Sequence, residues 1–151
     1  MKLATHLNTH IIRIYGGHVP ETYTIDTIMP FLVENLQEIG DEAEEYDVYL
    51  GLETHDDWTD SAVCARLMAQ VDHPRIRVIW DLHHPYRVKG ESPEVTYVNL
   101  APYTIGIHVK DSILNNKGEP TYVLLGEGDV PLKRMLDILI HGGYDSFATL
   151  E

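Results

Sequence analysis

The length and composition of the chain predict one small globular domain. Its 151 residues, 44% of them hydrophobic, are enough for one hydrophobic core, so we expect a single domain over residues 1–151. No apolar run approaches the roughly 18 residues of a membrane span, and the start MKLATHLNTH lacks the apolar stretch of a secretion signal. The formal net charge of −13 argues against binding to nucleic acid phosphates. We therefore expect a soluble, cytoplasmic protein that contacts neither membranes nor nucleic acid.

The single cysteine excludes two further classes of protein. Cys64 has no partner for an internal disulfide and no Cys-x-x-Cys neighbour for a thiolate zinc site. We expect it to be a buried structural thiol.

The first half of the chain alternates between strand and helix patterns. The β-branched run HIIRIYGG predicts a strand that ends at a glycine pair. Apolar residues at helical spacing predict a helix over 25–40, with Pro30 in its first turn or at a kink. The acidic run 41–47 is interpreted as a solvated face and loop. DVYLGLE predicts the next strand, and residues 59–71 predict a helix capped by Thr59 or Asp60.

The second half continues the alternation. RIRVIWD predicts a strand, and residues 85–93 predict a loop before a short helix over 93–100. TIGIHV is the next predicted strand, and the polar stretch 110–122 predicts a long loop. Residues 129–143 predict an amphipathic helix capped by Asp129 and ended by Gly142 or Gly143, and FATLE predicts a last strand. Apolar strands alternating with helices indicate an α/β fold whose parallel sheet is buried on both faces.

Four of these strands end on a residue that can bind a metal. The residues are Glu53, Asp81, His108 and Glu151. Parallel α/β proteins place their chemistry at the carboxyl ends of the strands, so we expect these side chains to meet at one mouth. Three carboxylates and an imidazole would repel one another without a cation. The oxygen-rich set favours one divalent ion, Mn²⁺ first, with Mg²⁺, Co²⁺, Zn²⁺ or iron as alternatives.

The order of the strand-end motifs resembles a known family. RIYGG, GLETH, WDLHHP, HVKD, LGEGDVP and GYDSFATLE are similar to motifs of the sugar phosphate isomerase/epimerase superfamily, the xylose isomerase-like TIM barrels. The resemblance covers nearly the whole chain. It implies a barrel of parallel β/α units and identifies the four strand-end residues with the family's metal ligands.

The resemblance also implies catalytic roles and a substrate class. Glu53 and Glu151 match the two glutamates that remove and return a proton next to a carbonyl, through a metal-stabilised enediolate. His84 matches a histidine that contacts substrate oxygens. His83 has no counterpart in the family, and a loop residue without a role in the site is an equal interpretation of it. Lys110 is either a contact to a substrate oxygen or phosphate, or a solvent-exposed loop lysine. The expected activity is isomerisation or epimerisation of a small sugar or a sugar-like keto or polyol compound.

Two departures from the family pattern keep other activities open. Epimerases of free ketohexoses usually carry an arginine six residues past the metal histidine, where this chain has Leu114. The stretch LGEGDVP more closely resembles the broad group that contains inosose dehydratases and unassigned isomerases, so a dehydratase on the same site is an alternative. Glu127 in that stretch either lines the mouth or orders its loop.

Length is the larger departure. A closed barrel of this kind takes about 250 residues and eight strands, and we count about five strands here. Three explanations compete: a fragment of a longer product, two copies that cover the open sheet edges, or a truncated and catalytically inactive remnant. A partial barrel that only binds a metal or a partner is therefore a second alternative.

A metallonuclease of the apurinic endonuclease type is a weaker rival. It shares the barrel but uses three zinc ions and additional histidines, one of which His18 could mimic. No Asp-x-His pair follows His108, and the chain is strongly acidic, so this rival is disfavoured.

Overall fold

A computed structural model describes residues 1–151 as a curved parallel sheet flanked by helices. The helices are α1 (Lys2–His6), α2 (Ile25–Glu45), α3 (Ser61–Val71), α4 (His83–Lys89), α5 (Pro93–Leu100) and α6 (Leu132–His141). The strands are β1 (Ile11–Ile14), β2 (Tyr49–Glu53), β3 (Ile76–Asp81), β4 (Thr104–Val109), β5 (Asp111–Leu114), β6 (Pro120–Val123) and β7 (Phe147–Leu150). A short 3₁₀ turn lies between β2 and α3 (Asp56–Trp58).

The main sheet has the order β1-β2-β3-β4-β7, and every neighbouring pair is parallel. The strands follow chain order because a helix connects each one to the next, as parallel strands require. Five parallel strands in sequential order form about half of a barrel, so the predicted incomplete β/α barrel is confirmed. The carboxyl ends of β2, β3, β4 and β7 consequently lie side by side at one mouth.

The core lies between the outer face of the sheet and the helices. A cluster of 23 buried hydrophobic residues joins strand residues such as Leu50, Leu52 and Val78 to helix residues such as Leu67 and Met135. Cys64 belongs to this cluster, which agrees with the expected structural thiol. Burial of this apolar area supplies the main driving force for the fold.

Local sequence explains where the helices begin. The side chain of Thr24 accepts a hydrogen bond from the backbone N–H of Thr27, whose hydroxyl in turn accepts one from the backbone N–H of Thr24. Asp60 caps α3 by accepting hydrogen bonds from two backbone N–H groups at 3.1 Å. Pro30 lies in the second turn of α2, so of its two predicted positions the first turn is wrong, and the kink stays a prediction. The acidic run extends α2 to Glu45 and is mostly exposed, as a solvated face.

Three predicted local elements were wrong. Residues 83–89 form α4, because the carboxylate of Asp81 accepts hydrogen bonds from the backbone N–H groups of His83 and His84 and satisfies the start of that helix. The predicted loop 110–122 contains an antiparallel hairpin, β5 paired with β6. Asp129 does not cap α6, which begins at Leu132, and its carboxylate pairs with Arg87 instead.

No helix of the structure combines the length and the hydropathy needed to cross a membrane.

Candidate metal centre

The four strand-end residues meet at the mouth of the half-barrel. Glu53 and Asp81 are the last residues of β2 and β3, His108 lies near the end of β4, and Glu151 directly follows β7. Asp81 and His108 are direct neighbours in the β3–β4 pairing. One potential ligand atom from each residue lies within 4.8 Å of the others. The convergence expected from the strand ends therefore occurs in the structure.

Hydrogen bonds and charges link the four residues into one cluster. Nδ1 of His108 lies 2.9 Å from Oε1 of Glu53 and 3.7 Å from Oε1 of Glu151. An ionised carboxylate can only accept, so His108 donates to Glu53. Glu53 and Asp81 are fully buried, whereas one third of the Glu151 side chain is exposed. The most accessible ligand is thus the one on the last strand.

Two cations lie beside the carboxylates. Nζ of Lys110 is 2.8 Å from Oδ2 of Asp81 and 2.7 Å from Oε2 of Glu151. Nη1 of Arg13 is 2.7 Å from Oε1 of Glu151 and 3.4 Å from Oε2 of Glu53. Lys110 is mostly buried, so the alternative of a solvent-exposed loop lysine is wrong.

The cations shift the ionisation of the residues they contact. Burial raises the pKa of Glu151, but the hydrogen bonds and charges of Lys110 and Arg13 outweigh it and hold that pKa at about 2. Burial lowers the pKa of Lys110, yet its bonds to Asp81 and Glu151 raise the pKa above the ordinary value. Both groups are therefore charged at neutral pH.

The donor set fits a divalent ion. Three carboxylates and one imidazole are hard and borderline ligands of the kind that Mn²⁺, Mg²⁺ and Zn²⁺ accept. Oε2 of Glu53 is buried and accepts no hydrogen bond, and Nη1 of Arg13 lies 3.4 Å from it. Three carboxylates against two cations leave one net negative charge when His108 is neutral. A buried carboxylate oxygen without a donor is a position that a cation would stabilise.

The predicted substrate contact His84 lies next to this cluster on α4. Its Nδ1 is 3.0 Å from the carbonyl oxygen of Thr54 and 3.5 Å from Oδ2 of Asp81. Burial lowers the pKa of His84, although Asp81 opposes that effect, so the imidazole is neutral at pH 7. With Nδ1 donating to Thr54, the lone pair is on Nε2, where it can accept a hydrogen bond from a hydroxyl.

His83 is a buried structural residue rather than a loop residue. Its Nε2 lies 2.8 Å from the hydroxyl of Ser112, and burial lowers its pKa to about 4. Ser112 also accepts a hydrogen bond from Nε of Arg87 at 2.9 Å. These two contacts attach β5 of the hairpin to α4.

Sequence reasoning missed the residue that orders the loop after the hairpin. The buried carboxylate of Asp111 accepts hydrogen bonds from the backbone N–H groups of Ser112, Gly126 and Gly128 at 2.9–3.0 Å. Glu127, for which a loop-ordering role was considered, is exposed and its side chain makes no hydrogen bond. The signal for Asp111 was an aspartate two residues after the strand TIGIHV, ahead of the Gly-x-Gly stretch at 126–128.

Arg13 was missed as well, although the sequence contains a signal for it. It is the one charged residue in the strand IIRI, where a buried parallel strand normally carries apolar side chains. A cleft of about 750 Å³ opens along the inner face of the sheet, and Arg13, His108 and Glu151 line it. His84 and Lys110 are not among the residues that line this cleft.

Comparison with known proteins identifies the family. A model of the xylose isomerase-like TIM barrel family matches residues 1–151. The chain is 27% identical over 156 residues to fructoselysine 3-epimerase of Escherichia coli O157:H7. The alignment covers 100% of this chain and 55% of that relative. It thus has about half the length of the curated relatives it matches.

Two solved structures show the same fold. The zinc-bound IOLI protein superimposes with a TM-score of 0.84 at 20% identity, covering 99% of this chain and 56% of the other. The probable 3-DHS dehydratase AsbF of Bacillus anthracis gives a TM-score of 0.83 at 23% identity, covering 99% of this chain and 60% of the other. With its whole length matched by the family model and its five parallel strands aligned with these barrels, the chain belongs to the xylose isomerase-like TIM barrel family.

Proposed function

We propose that this chain carries the catalytic half of a divalent-metal-dependent isomerase or epimerase that acts on a small sugar or a sugar-like keto or polyol compound. The observation that carries the proposal is the convergence of Glu53, Asp81, His108 and Glu151 within 4.8 Å at the mouth of the sheet. The epimerase relative from Escherichia coli and the family model support the class of reaction. Mn²⁺ is the ion we expect first, since the donor set is rich in oxygen.

The reaction requires a proton to be moved on a carbon next to a carbonyl. A divalent ion bound by the four ligands would withdraw electron density from substrate oxygens and stabilise the negative charge that develops there. Glu53 or Glu151 removes the proton, and the other glutamate returns it to the same carbon or to its neighbour. Return to the same carbon from the opposite face gives epimerisation, and return to the neighbouring carbon gives isomerisation.

Other residues of the chain would orient the substrate. His84 accepts a hydrogen bond from a substrate hydroxyl at Nε2, because its Nδ1 is engaged by Thr54. Lys110 donates to a substrate oxygen on the side of Asp81, the carboxylate it contacts in the structure. Lys110 and Arg13 keep their charge at neutral pH and favour an oxygen-rich or anionic ligand.

A dehydratase on the same site is the second candidate. Leu114 lies on the hairpin and is 48% exposed, so the position that carries an arginine in epimerases of free ketohexoses offers no cation here. The structural likeness to a probable 3-DHS dehydratase is consistent with this alternative. Glu53 or Glu151 would remove the proton from the carbon, and the hydroxyl on the next carbon would take a proton from the protonated glutamate and leave as water.

A calorimetric titration with Mn²⁺ tests the proposal. We expect one saturable site per chain in the wild-type protein and its loss in Glu53→Gln and Asp81→Asn. Glu38→Gln, on the exposed face of α2, is the matched control and should bind as the wild type does. Absence of saturable binding by the wild-type chain would contradict the proposal.

A substrate screen then separates the candidate activities. Ketoses, inososes and related keto acids are incubated with the Mn²⁺-loaded protein in deuterated water, and products are identified by NMR. Solvent deuterium at the carbon next to the carbonyl indicates epimerisation or isomerisation, and loss of a hydroxyl indicates dehydration. Tight Mn²⁺ binding without turnover of any compound would favour the alternative of a barrel that only binds a metal or a partner.

A further inference from the structure

Arg13 connects the two edges of the curved sheet. β1 and β7 are the first and last strands in the order β1-β2-β3-β4-β7, so three strands separate them in the sheet. Nevertheless Nη1 of Arg13 lies 2.7 Å from Oε1 of Glu151, directly after β7. The sheet therefore curls far enough for a side chain on one edge to bind a side chain on the other, across the mouth.

The same guanidinium nitrogen contacts both glutamates assigned to proton transfer. It lies 3.4 Å from Oε2 of Glu53 in addition to its bond with Glu151. Lys110, by contrast, contacts Asp81 and Glu151 and makes no ion pair with Glu53. Arg13 is consequently the cation shared by the two glutamates, and its removal would leave Oε2 of Glu53 without a nearby counter-charge.

The charge of Arg13 also affects the ion and the reaction. With Arg13 and Lys110 present and His108 neutral, the cluster has one net negative charge, and a divalent ion changes this to one net positive charge. One net positive charge neutralises an intermediate that carries one negative charge. Loss of Arg13 would leave the loaded site neutral, so the divalent ion would bind more tightly while the anion would be stabilised less.

We propose that Arg13 is a positioning residue of this centre: it holds Glu53 and Glu151 at a fixed separation across the mouth and sets the charge of the site. The proposal rests on the proposed function for the identity of the two glutamates. It assigns a role to the guanidinium on β1 in a chain that has Leu114 where ketohexose epimerases carry an arginine.

A double-mutant cycle tests the link between the strands without any metal. Arg13→Gln, Glu151→Gln and the double variant are unfolded with urea in the presence of a chelator. We expect the two substitutions to be coupled by about fivefold in the unfolding equilibrium constant, as contacting charged residues are. Additive effects of the two substitutions would overturn the proposal.

Calorimetry with Mn²⁺ tests the charge. Arg13→Gln should bind Mn²⁺ about tenfold more tightly. This is about the effect that Coulomb's law gives when one positive charge is removed from the neighbourhood of a divalent ion and the interaction is screened as in bulk water. Arg13→Lys should restore an affinity within about twofold of the wild type, because the charge is kept. The control Arg66→Gln removes an arginine that pairs with Asp26 on the helical surface and should leave the affinity unchanged.

The two measurements separate the possible failures. Weaker Mn²⁺ binding by Arg13→Gln would overturn the assigned charge effect. If the wild-type chain binds no Mn²⁺, the proposed function fails, and the urea cycle alone decides whether Arg13 positions the two glutamates. Where a substrate is found, a fall in kcat of Arg13→Gln with little change in KM is the expected signature, and a change in KM alone would overturn the positioning role.

Discussion

Replacement of Asp111 by alanine should destabilise the protein strongly, because one buried carboxylate satisfies four backbone donors. It accepts hydrogen bonds from Ser112 and Gly126 at 2.9 Å, from Gly128 at 3.0 Å and, at the longer distance of 3.4 Å, from Val130. Loss of a partner for a buried donor costs about 1–3 kcal/mol. Gly126 and Gly128 lie in a loop that can turn towards water, so we count only the three shorter bonds, take the lower end for each and expect a loss of about 3 kcal/mol.

The assay is urea denaturation followed by circular dichroism, with the free energy of unfolding extrapolated to water. Asp111→Asn keeps one acceptor oxygen and should lose roughly half as much as Asp111→Ala. The matched control is Glu127→Ala, an exposed carboxylate of the same loop, which should change stability by less than about 0.5 kcal/mol. An Asp111→Ala variant as stable as the wild type, or a Glu127→Ala variant equally destabilised, would refute the assignment of loop ordering to Asp111.

Three further predictions concern stability, ionisation and reactivity. Leu52 of β2 is 1% exposed in the hydrophobic core, so Leu52→Ala should lower the free energy of unfolding by about 2–5 kcal/mol in urea denaturation. A smaller loss would mean that the core can collapse around the cavity. Because the pKa of folded Glu151 is about 2, below its usual 4.5, its ion pairs stabilise the protein above pH 4.5 and cease to do so as the pH falls towards 2. The stability difference between wild type and Glu151→Gln, measured in a chelator, should therefore shrink over that interval, and a constant difference would contradict the assigned shift. Burial raises the pKa of Cys64 to about 12, so Ellman's reagent should label it only after unfolding, and rapid labelling of the native protein would show that the thiol is accessible.

The sequence by itself determined the fold class and predicted which residues the structure brings together as a candidate ligand set. Apolar strands such as VYLGLE and RIRVIWD alternate with helix patterns, and this order permits only parallel pairing with helical connections. Parallel pairing places strand ends together, which is why Glu53, Asp81 and His108 could be predicted to meet although they are far apart in the chain.

Short-range patterns were less informative where a tertiary contact overrides local preference. The sequence predicts a loop over residues 85–93, yet the Asp81 carboxylate accepts hydrogen bonds from the backbone N–H groups of His83 and His84, and α4 forms over His83–Lys89. The hairpin of β5 and β6 was hidden in a polar stretch because its inner residues, Asp111 and Ser112, bind backbone and side-chain donors instead of packing in an apolar core.

Only the tertiary structure showed what surrounds the ligands. Arg13 is in contact with Glu151 because the sheet curls, and its curvature depends on the packing of all five strands rather than on any local pattern. The burial of Lys110 between Asp81 and Glu151 likewise depends on how β3, β4 and β7 align. Periodicity and strand order are properties of the chain, so the sequence determined them. Distances between side chains on separate strands are properties of the packed sheet, and the tertiary structure decided them.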